Sequence, residues 1–532
     1  MATSRPSLCT SPPIGAGRAR RLLERAATLA MLSLPFSVLA VAAHAQRSPW
    51  PGGVTLREAL DAALLHSVQL QLGERQVQIG SGALLVARAP FDAQVTTALA
   101  TQRENSVSPS AAGVLTPVLT RTVSSSIIVP KRFRSGIVVT PRVGLTRADA
   151  ANIHGALTSR ASVSLDLLVP LLRDRGGAIT AAPERAAARG YDASVLDARH
   201  AAASSILGVV VTYWDELAAE QRLEVYGASE RRAQKLVDDT RKLVEADERP
   251  AGDLKQLLAN LALKRAARLT GEQVSVEARQ QLALAMGVYG TGGSAPPRAI
   301  TSFPDLPSDT GRGSRADTGA VTDALHRRAD LAALAARRSA AEVQLRAARS
   351  GLSPRLDLAV ELGYEGIATG GGVDGAFSSF YRNVPGLNAS VQVSYELPLS
   401  RLAARGSVLQ SSAVYAQARI REAELVRQIS SGVFVAREAL CHSRLALLAS
   451  RDAVALSRDA VENEKRKFQL GMSTLFDVIL AEDALTNSRL GEIAGQHGYA
   501  VAIARLRYES GSIVDADGQH LAVSAGSMER EP

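Results

Sequence analysis

From residue 433 the chain carries a large apolar residue at every seventh position, Val433, Leu440, Leu447, Val454, Val461 and Phe468, until Gly471 breaks the pattern. A heptad sustained this long predicts a helix packed along its length, and an ordinary two-stranded coiled coil has the same phase. Two further rows share that helix. Gly432, Ala439, Ala446, Ala453 and Ala460 form a small seam, and Arg437, Arg444, Arg451, Arg458 and Lys465 form a basic one. Small beside large lets neighbours interlock on two sides, while the basic row is expected to keep one face wet. Elsewhere the period falls to two. Asp92 to Ala100, the run SVSLDLLVP at 162–170, LDLAVELGY at 356–364, and Val391, Val393, Tyr395 and Leu397 all read as strands.

The same order of elements occurs twice. A shift of 224 residues superposes Tyr191 on Tyr415, Asp253 on Asp477, Leu261 on Leu485, Leu282 on Leu506 and Gly287 on Gly511. A shift of 265 aligns Ala59 with Ala324 and Asp92 with Asp357, the difference being an insert in the first copy at about residues 101–158. Each copy reads as a first helix (about 56–88 and 319–350), two strands, a long helix (about 183–245 and 407–469) and a return helix (about 252–286 and 474–509). Pro170 and Pro398 close the second strands, and each long helix would run ~90 Å. The expected organisation is a leader at 1–45, a first repeat at 46–289, a Pro/Gly-rich linker at 290–319, a second repeat at 320–512 and a tail at 513–532. Within the insert, 124–145 reads as a hairpin around Arg134, Ser135 and Gly136. Two placements stay open for it: an extension of a barrel wall, or an external loop holding Lys131, Arg132 and Arg134 near anionic lipopolysaccharide.

Composition narrows the function classes. Arg18, Arg20, Arg21 and Arg25 precede an apolar stretch from Leu29 to Ala43, and Ala43-His44-Ala45 has the form of a signal-peptidase site. Export is therefore expected, with Gln46 after the cut and so no lipidated N-terminal Cys. Losing the leader lowers the net charge from +9 to +5, with both signs interspersed, which argues against nucleic acid. Cys441 alone remains after export, so no disulfide framework is expected, and its helical position suggests a packed small hydrophobe. No nucleophile elbow, zinc helix or P-loop is present, so neither enzyme chemistry nor a cofactor is expected. The strands have an apolar and a polar face with little to pack against. A barrel shared between copies would remove their open edges and let the apolar face meet lipid.

The duplicated order, the motif F-x-x-G-x-S-T-x-x-D-V-x-x-A at Phe468 to Ala481, and SLDLLVPLLRDRG at 164–176 together resemble the TolC-like outer-membrane efflux protein family. The resemblance spans about Thr55 to Gly511. It implies a mainly α fold with a membrane β-barrel: a homotrimer with four strands per chain in a twelve-stranded barrel, and a coiled-coil α-helical tunnel in the periplasm. It also implies the outer membrane of a Gram-negative bacterium, a periplasmic adaptor and, indirectly, an inner-membrane RND or ABC pump. The function implied is a passive exit duct of a tripartite efflux or type I secretion system. A periplasmic coiled-coil scaffold without a pore is the alternative.

By the same resemblance, Leu470, Gly471, Met472, Ser473 and Thr474 would touch the adaptor, joined by Asp247, Glu248 and Arg249 at the first-copy tip. Asp477 and its counterpart Asp253 would form an acidic gate, where like charges crowd a narrow axis. Leu480 stands where some relatives carry a second Asp. From the residues themselves, Thr474 and Asp477 fit a capping box and Gly471 suits the end of the preceding helix. Capping and gating both remain open for Asp477.

Overall fold

The computed structural model describes residues 52–530 apart from 110–114, 152–157, 248–249, 289–296, 308–317, 370–374, 376–377, 382–384, 518–519, 523–524 and 529. The expected leader, Glu248, Arg249 and much of the linker lie outside the described residues. The first repeat runs through helices α1 (Leu56–His66) and α2 (Val68–Arg88), then strands β1 (Thr96–Pro109), β2 (Leu115–Ile128), β3 (Val138–Ala151) and β4 (Thr158–Pro170). Helices α3 (Ala182–Glu245) and α4 (Ala251–Ala285) complete it. The second runs through α5 (Thr318–Arg327), α6 (Ala329–Ser350), β5 (Arg355–Thr369), β6 (Pro385–Glu396), α7 (Leu402–Gln469) and α8 (Leu475–Glu509).

Each expected first helix is in fact two. Ser67 breaks the first at φ −59, ψ 125, and Arg328 breaks the second at φ −71, ψ 120, both extended. The breaks sit against equivalent glycines. Gly287, at φ +70, lies over His66 and Ser67, while Gly511, also at φ +70, lies over Arg327 and Arg328. Only glycine enters this region without a Cβ penalty. The duplication is thus visible in a shared contact as well as in element order.

Helix α3 packs against α2, α4, α6 and α8, and α7 packs against α6 and α8. An 18-residue window of α3 is apolar enough to cross a membrane by composition. Its Ile206, Val209, Val210, Tyr213, Trp214 and Leu217 instead enter the main core with Leu60, Leu282, Met286 and Phe303. Part of the linker is held there too: Ala299 bridges Val54, and Tyr213 donates from its hydroxyl to the Val54 carbonyl at 3.0 Å. Ile513 and Met528, from the expected tail, are also buried in this core.

On α7 the large seam Val433, Leu440, Leu447, Val454 and Val461 is buried, as its heptad requires. The small seam Ala439, Ala446, Ala453 and Ala460 is exposed in the single chain. Two expectations are corrected. The basic row is not simply solvated, because Arg451 reaches Glu492 at 3.8 Å and Lys465 reaches Glu482 at 2.5 Å, both across to α8. Cys441 is exposed rather than packed, since it falls between the faces that α6 and α8 cover.

Among the described residues, six long strands form one antiparallel sheet in the order β1-β2-β3-β4-β5-β6, with the two-residue strand Lys131–Arg132 paired to β3. Four strands per chain were expected; the insert supplies two more, β2 and β3. They are paired in register with β1 on one side and β4 on the other, so they extend the sheet instead of looping over it. Their connecting turn is at the helical end. Arg134 forms a bidentate pair with Glu184 of α3 at 2.7 and 2.8 Å, and Glu184 also meets Arg88 of α2 at 3.3 Å. That location overturns the lipopolysaccharide placement for Lys131, Arg132 and Arg134.

Candidate functional site: a two-faced sheet and two helical tips

Side chains along a strand alternate between faces, so the pairing register assigns every residue of the sheet. One face collects Leu99 of β1, Val123 and Ile127 of β2, Val143 and Leu145 of β3, and Val163, Leu165 and Leu167 of β4. It continues through Leu358, Val360, Leu362 and Tyr364 of β5 to Leu387, Val391, Val393 and Tyr395 of β6. The face is barest on the outer strands, where Leu99 and Leu387 are each 80% exposed and Val391 is 71% exposed, while Leu145, Leu167, Leu358 and Val360 are partly covered. On β4 the apolar run from Ala161 to Val169 covers about 21 Å of height once strand tilt is allowed for, near the ~25 Å apolar band of outer-membrane barrels. Arg103 of β1 and Arg121 of β2 enter this face at mid-strand, opposite each other, with Asp149 of β3 opposite Arg121, and Arg147 of β3 lies in the half of its strand remote from the helices.

The opposite face is mainly polar, with Ile128, Val138 and Leu168 on it at the helical end. Gln102, Thr122, Ser124, Thr140, Ser162, Ser164, Glu361, Ser390 and Gln392 share it. Ion pairs cross between strands on it, Arg142 to Asp166 at 3.3 Å and Arg160 to Glu365 at 2.6 Å. A sheet polar on one side and apolar and uncovered on the other suits a wall between lipid and water.

The helices end in two tips at the far end of the chain's fold. At the second tip, Gly471 takes φ +73, and Met472 donates its N–H to the Lys467 carbonyl at 2.8 Å, which closes the helix end. Thr474 then starts α8 with a full capping box: its N–H donates to Asp477 Oδ2 at 2.9 Å, and its Oγ1 accepts from Asp477 N–H at 3.3 Å. The Ser473 hydroxyl bridges the two helices, 2.9 Å from Glu464 and 3.3 Å from Asp477. Hydrogen bonds from the Thr474 side chain and backbone hold the Asp477 carboxyl below its usual range. Lys467 and Ser473 do the same for Glu464.

The first tip closes by different chemistry. Asp247 takes the left-handed conformation, φ +62, at the position where the second tip uses glycine. Pro250 is the N-cap of α4, and Asp253 donates its N–H to the Pro250 carbonyl at 3.1 Å. The two tips lie together, because Val237 of α3, Leu257 of α4 and Leu475 of α8 form one buried cluster with Phe468 packed against it. The sequence reading missed Phe476. It is 57% exposed, as is Leu480 at 59%, and with Leu470 and Met472 they make the second tip an open apolar surface. Their spacing of four residues on α8 was the available signal.

A second polar site is buried between α3 and α4. Glu216 is wholly buried, accepts from Ala299 N–H at 2.8 Å and lies 3.4 Å from Arg279. Burial pushes its carboxyl up to about 7, and the nearby Glu220 charge adds to that rise. Glu220 moves the other way: burial opposes ionisation, but Arg279, Ser275 and Arg298 outweigh it.

Residues 320–512 match the family model described as outer membrane efflux protein. No curated protein sequence matches the chain. Among solved structures, the CmeC outer membrane channel of Campylobacter jejuni aligns with a TM-score of 0.65 at 15% identity, over 86% of this chain and 85% of that one. The outer membrane protein VceC of Vibrio cholerae gives 0.62 at 17% identity, over 86% and 96%. The open-state MtrE channel of Neisseria gonorrhoeae gives 0.57 at 19%, over 86% and 88%. The second repeat is therefore similar to the outer membrane efflux protein family, and the described chain as a whole has the fold of these TolC-like channels.

Proposed function

We propose that this chain is the outer-membrane exit duct of a tripartite export system in a Gram-negative bacterium. It is a passive homotrimeric channel that passes small molecules or polypeptides from a periplasmic adaptor and an inner-membrane RND or ABC pump to the exterior. The observation that carries the reading is the continuous, exposed apolar face across all six strands, joined to helices that end in paired tips. A periplasmic scaffold has no use for such a face, which would have to be hidden from water.

The adaptor contact is assigned to Leu470, Gly471, Met472, Ser473 and Thr474, with Asp247, Glu248 and Arg249 at the first tip. Asp477 and Asp253 are assigned to the mouth. The capping hydrogen bonds of Asp477 support a role in building the tip, and its single acidic position at each mouth helix supports a charge ring in the trimer. Asp477→Ala is expected to raise solute leak through an intact trimer. Unchanged conductance with a lowered melting temperature would leave Asp477 as a cap alone.

The channel reading is tested by washing outer-membrane vesicles with high salt and carbonate, then reconstituting the retained protein in planar bilayers. Retention and stable conductance steps are expected. Release into the wash would overturn the reading, because a lipid-facing sheet cannot be stripped by salt.

A further inference from the structure

We infer that the barrel of this duct has eighteen strands, six from each of three copies, and that β1 and β6 are the seams at which a second copy of the chain docks. The inference rests on the trimeric reading above and departs from it in the barrel, which would otherwise have twelve strands.

Strands β1 and β6 stand at the two ends of the sheet path, 14 and 12 residues long. Edges of that length invite strand addition unless a partner covers them. The helices continuous with these strands are bare in the same way. On α2, Leu72, Ile79 and Val86 recur every seven residues and are 58%, 63% and 74% exposed. On α7, which β6 enters, Leu402 and Leu409 repeat that spacing at 72% and 71% exposed. Each edge of the protomer thus has an open strand above an open heptad seam. These are different surfaces, so copies join head to tail and close as a ring.

The added hairpin is part of the wall, not an appendage to it. Ile127 of β2 lies opposite Val143 of β3, which lies opposite Val163 of β4, keeping the apolar row unbroken through the insert. Were β2 and β3 outside the wall, β1 would lose its partner in the described sheet and β4 one of its two, and the apolar side of the hairpin would face water. The turn is also fastened below the sheet. Gly136 at φ +97 leaves only 2.5 Å between an added Cβ and the Asp174 carbonyl, and Gly176 donates its N–H to the Ser135 carbonyl at 3.0 Å.

Circumference is compatible with the same count. Four helices per chain meet the sheet, α2, α3, α6 and α7, so three chains make a ring of twelve helices. At 8–10 Å between axes that ring measures roughly 100–120 Å around. Eighteen strands about 4.8 Å apart, tilted about 40°, measure about 113 Å, whereas twelve measure only about 75 Å. The backbone diameter is then about 36 Å instead of about 24 Å, since diameter grows nearly linearly with strand number. The exit is as wide as the tunnel beneath it, and the barrel does not constrict the path.

The test is single-particle imaging of the detergent-extracted full-length protein. Three-fold particles with eighteen strands and a wall about 36 Å across are expected. Three-fold particles with twelve strands and residues 115–151 off the wall would overturn the inference and leave the duct intact. A two-fold ring of twelve strands, or monomers, would overturn the trimer reading itself. Independently, Val143→Trp in the added hairpin and Val391→Trp in β6 would be compared for quenching by brominated lipids, against the wild type as background. Both are expected to be quenched to a similar extent; quenching of Val391→Trp alone would show that the hairpin is not in the wall.

Discussion

The two tips perform the same turn with different residues. The second spends a glycine at its left-handed position and a Thr-Asp box at its restart, whereas the first uses Asp247 and Pro250. The left-handed conformation costs a non-glycine residue about 1 kcal/mol or more, and Asp is among the few that tolerate it. The repeats differ in the same sense elsewhere. The first carries the extra hairpin and places Glu216 at the position that, by the shift of 224, is Leu440 in the second. At these positions the first copy is polar or conformationally costly where the second has glycine, cap and apolar seam, so the same backbone path is held by different residues.

The sharpest way to break the equivalence is at the paired glycines. A Cβ on Gly287 would sit 2.4 Å from the His66 carbonyl oxygen and 2.6 Å from its carbon, both backbone atoms, at φ +70. On Gly511 the nearest atoms are Arg327 Cβ at 3.1 Å, Arg328 Cγ at 3.2 Å and the Arg327 carbonyl carbon at 3.3 Å, contacts that a shift of a few tenths of an ångström relieves. Gly287→Ala is therefore expected to cost about 3 kcal/mol or more, from overpacking added to left-handed strain, and Gly511→Ala about 1 kcal/mol. Thermal unfolding followed by far-ultraviolet circular dichroism in detergent would rank them. Equal melting temperatures would mean that the two helix breaks are held equally loosely.

Much of this frame was legible because period and repetition survive in sequence. The heptad at Val433 to Val461 gave α7 its buried side, and the Thr474 and Asp477 pair gave the tip its cap. The broken first helices were not legible, because Ser67 and Arg328 are unremarkable locally and the glycines that seat against them are far along the chain. Two of the six strands were legible only in part, as the hairpin at 124–145 whose full length and place in the wall stayed open. Leu115 to Ile128 is interrupted by Pro117, Arg121 and three serines, so its alternation becomes evident only beside β3. Lys465 and Arg451 read as a wet row because their acidic partners, Glu482 and Glu492, lie on the next helix. Exposure of Cys441 likewise depends on which neighbours arrive, which the heptad alone does not specify.

The buried carboxylate gives a comparison in pH. Glu216 is raised from 4.5 to about 7 in the folded chain, so the native state holds its proton more tightly than the unfolded state. Its stabilising contribution is complete below about pH 4.5 and is lost as pH rises through about 7. The loss across that window is on the order of a few kcal/mol. Glu216→Gln keeps an acceptor for Ala299 N–H and removes the titration. The variant is expected to melt at the same temperature at pH 5 and pH 8, while the parent melts lower at pH 8. A parent with no such decline would mean that Arg279 compensates the charge fully, and Glu216 would then resemble an ordinary salt-bridged residue.

The smallest effects come from exchanging tip chemistries. Gly471 has open space around its missing Cβ, so Gly471→Ala should cost only the left-handed strain, about 1 kcal/mol. Asp247→Gly should recover up to about that amount by relieving the same strain, less the glycine's added freedom in the unfolded chain. Thr474→Ala should lose a further ~1 kcal/mol through the cap. If the tips differ only in how the turn is held, these changes shift melting temperature and leave export undisturbed. If the second tip docks the adaptor, Met472→Ser should reduce drug or protein export in cells while leaving the melting temperature unchanged, because Met472 is 75% exposed and closes the turn through its backbone alone. A matching loss from Asp247→Ser would extend docking to both tips, and the asymmetry between them would then lie in stability rather than in partner choice.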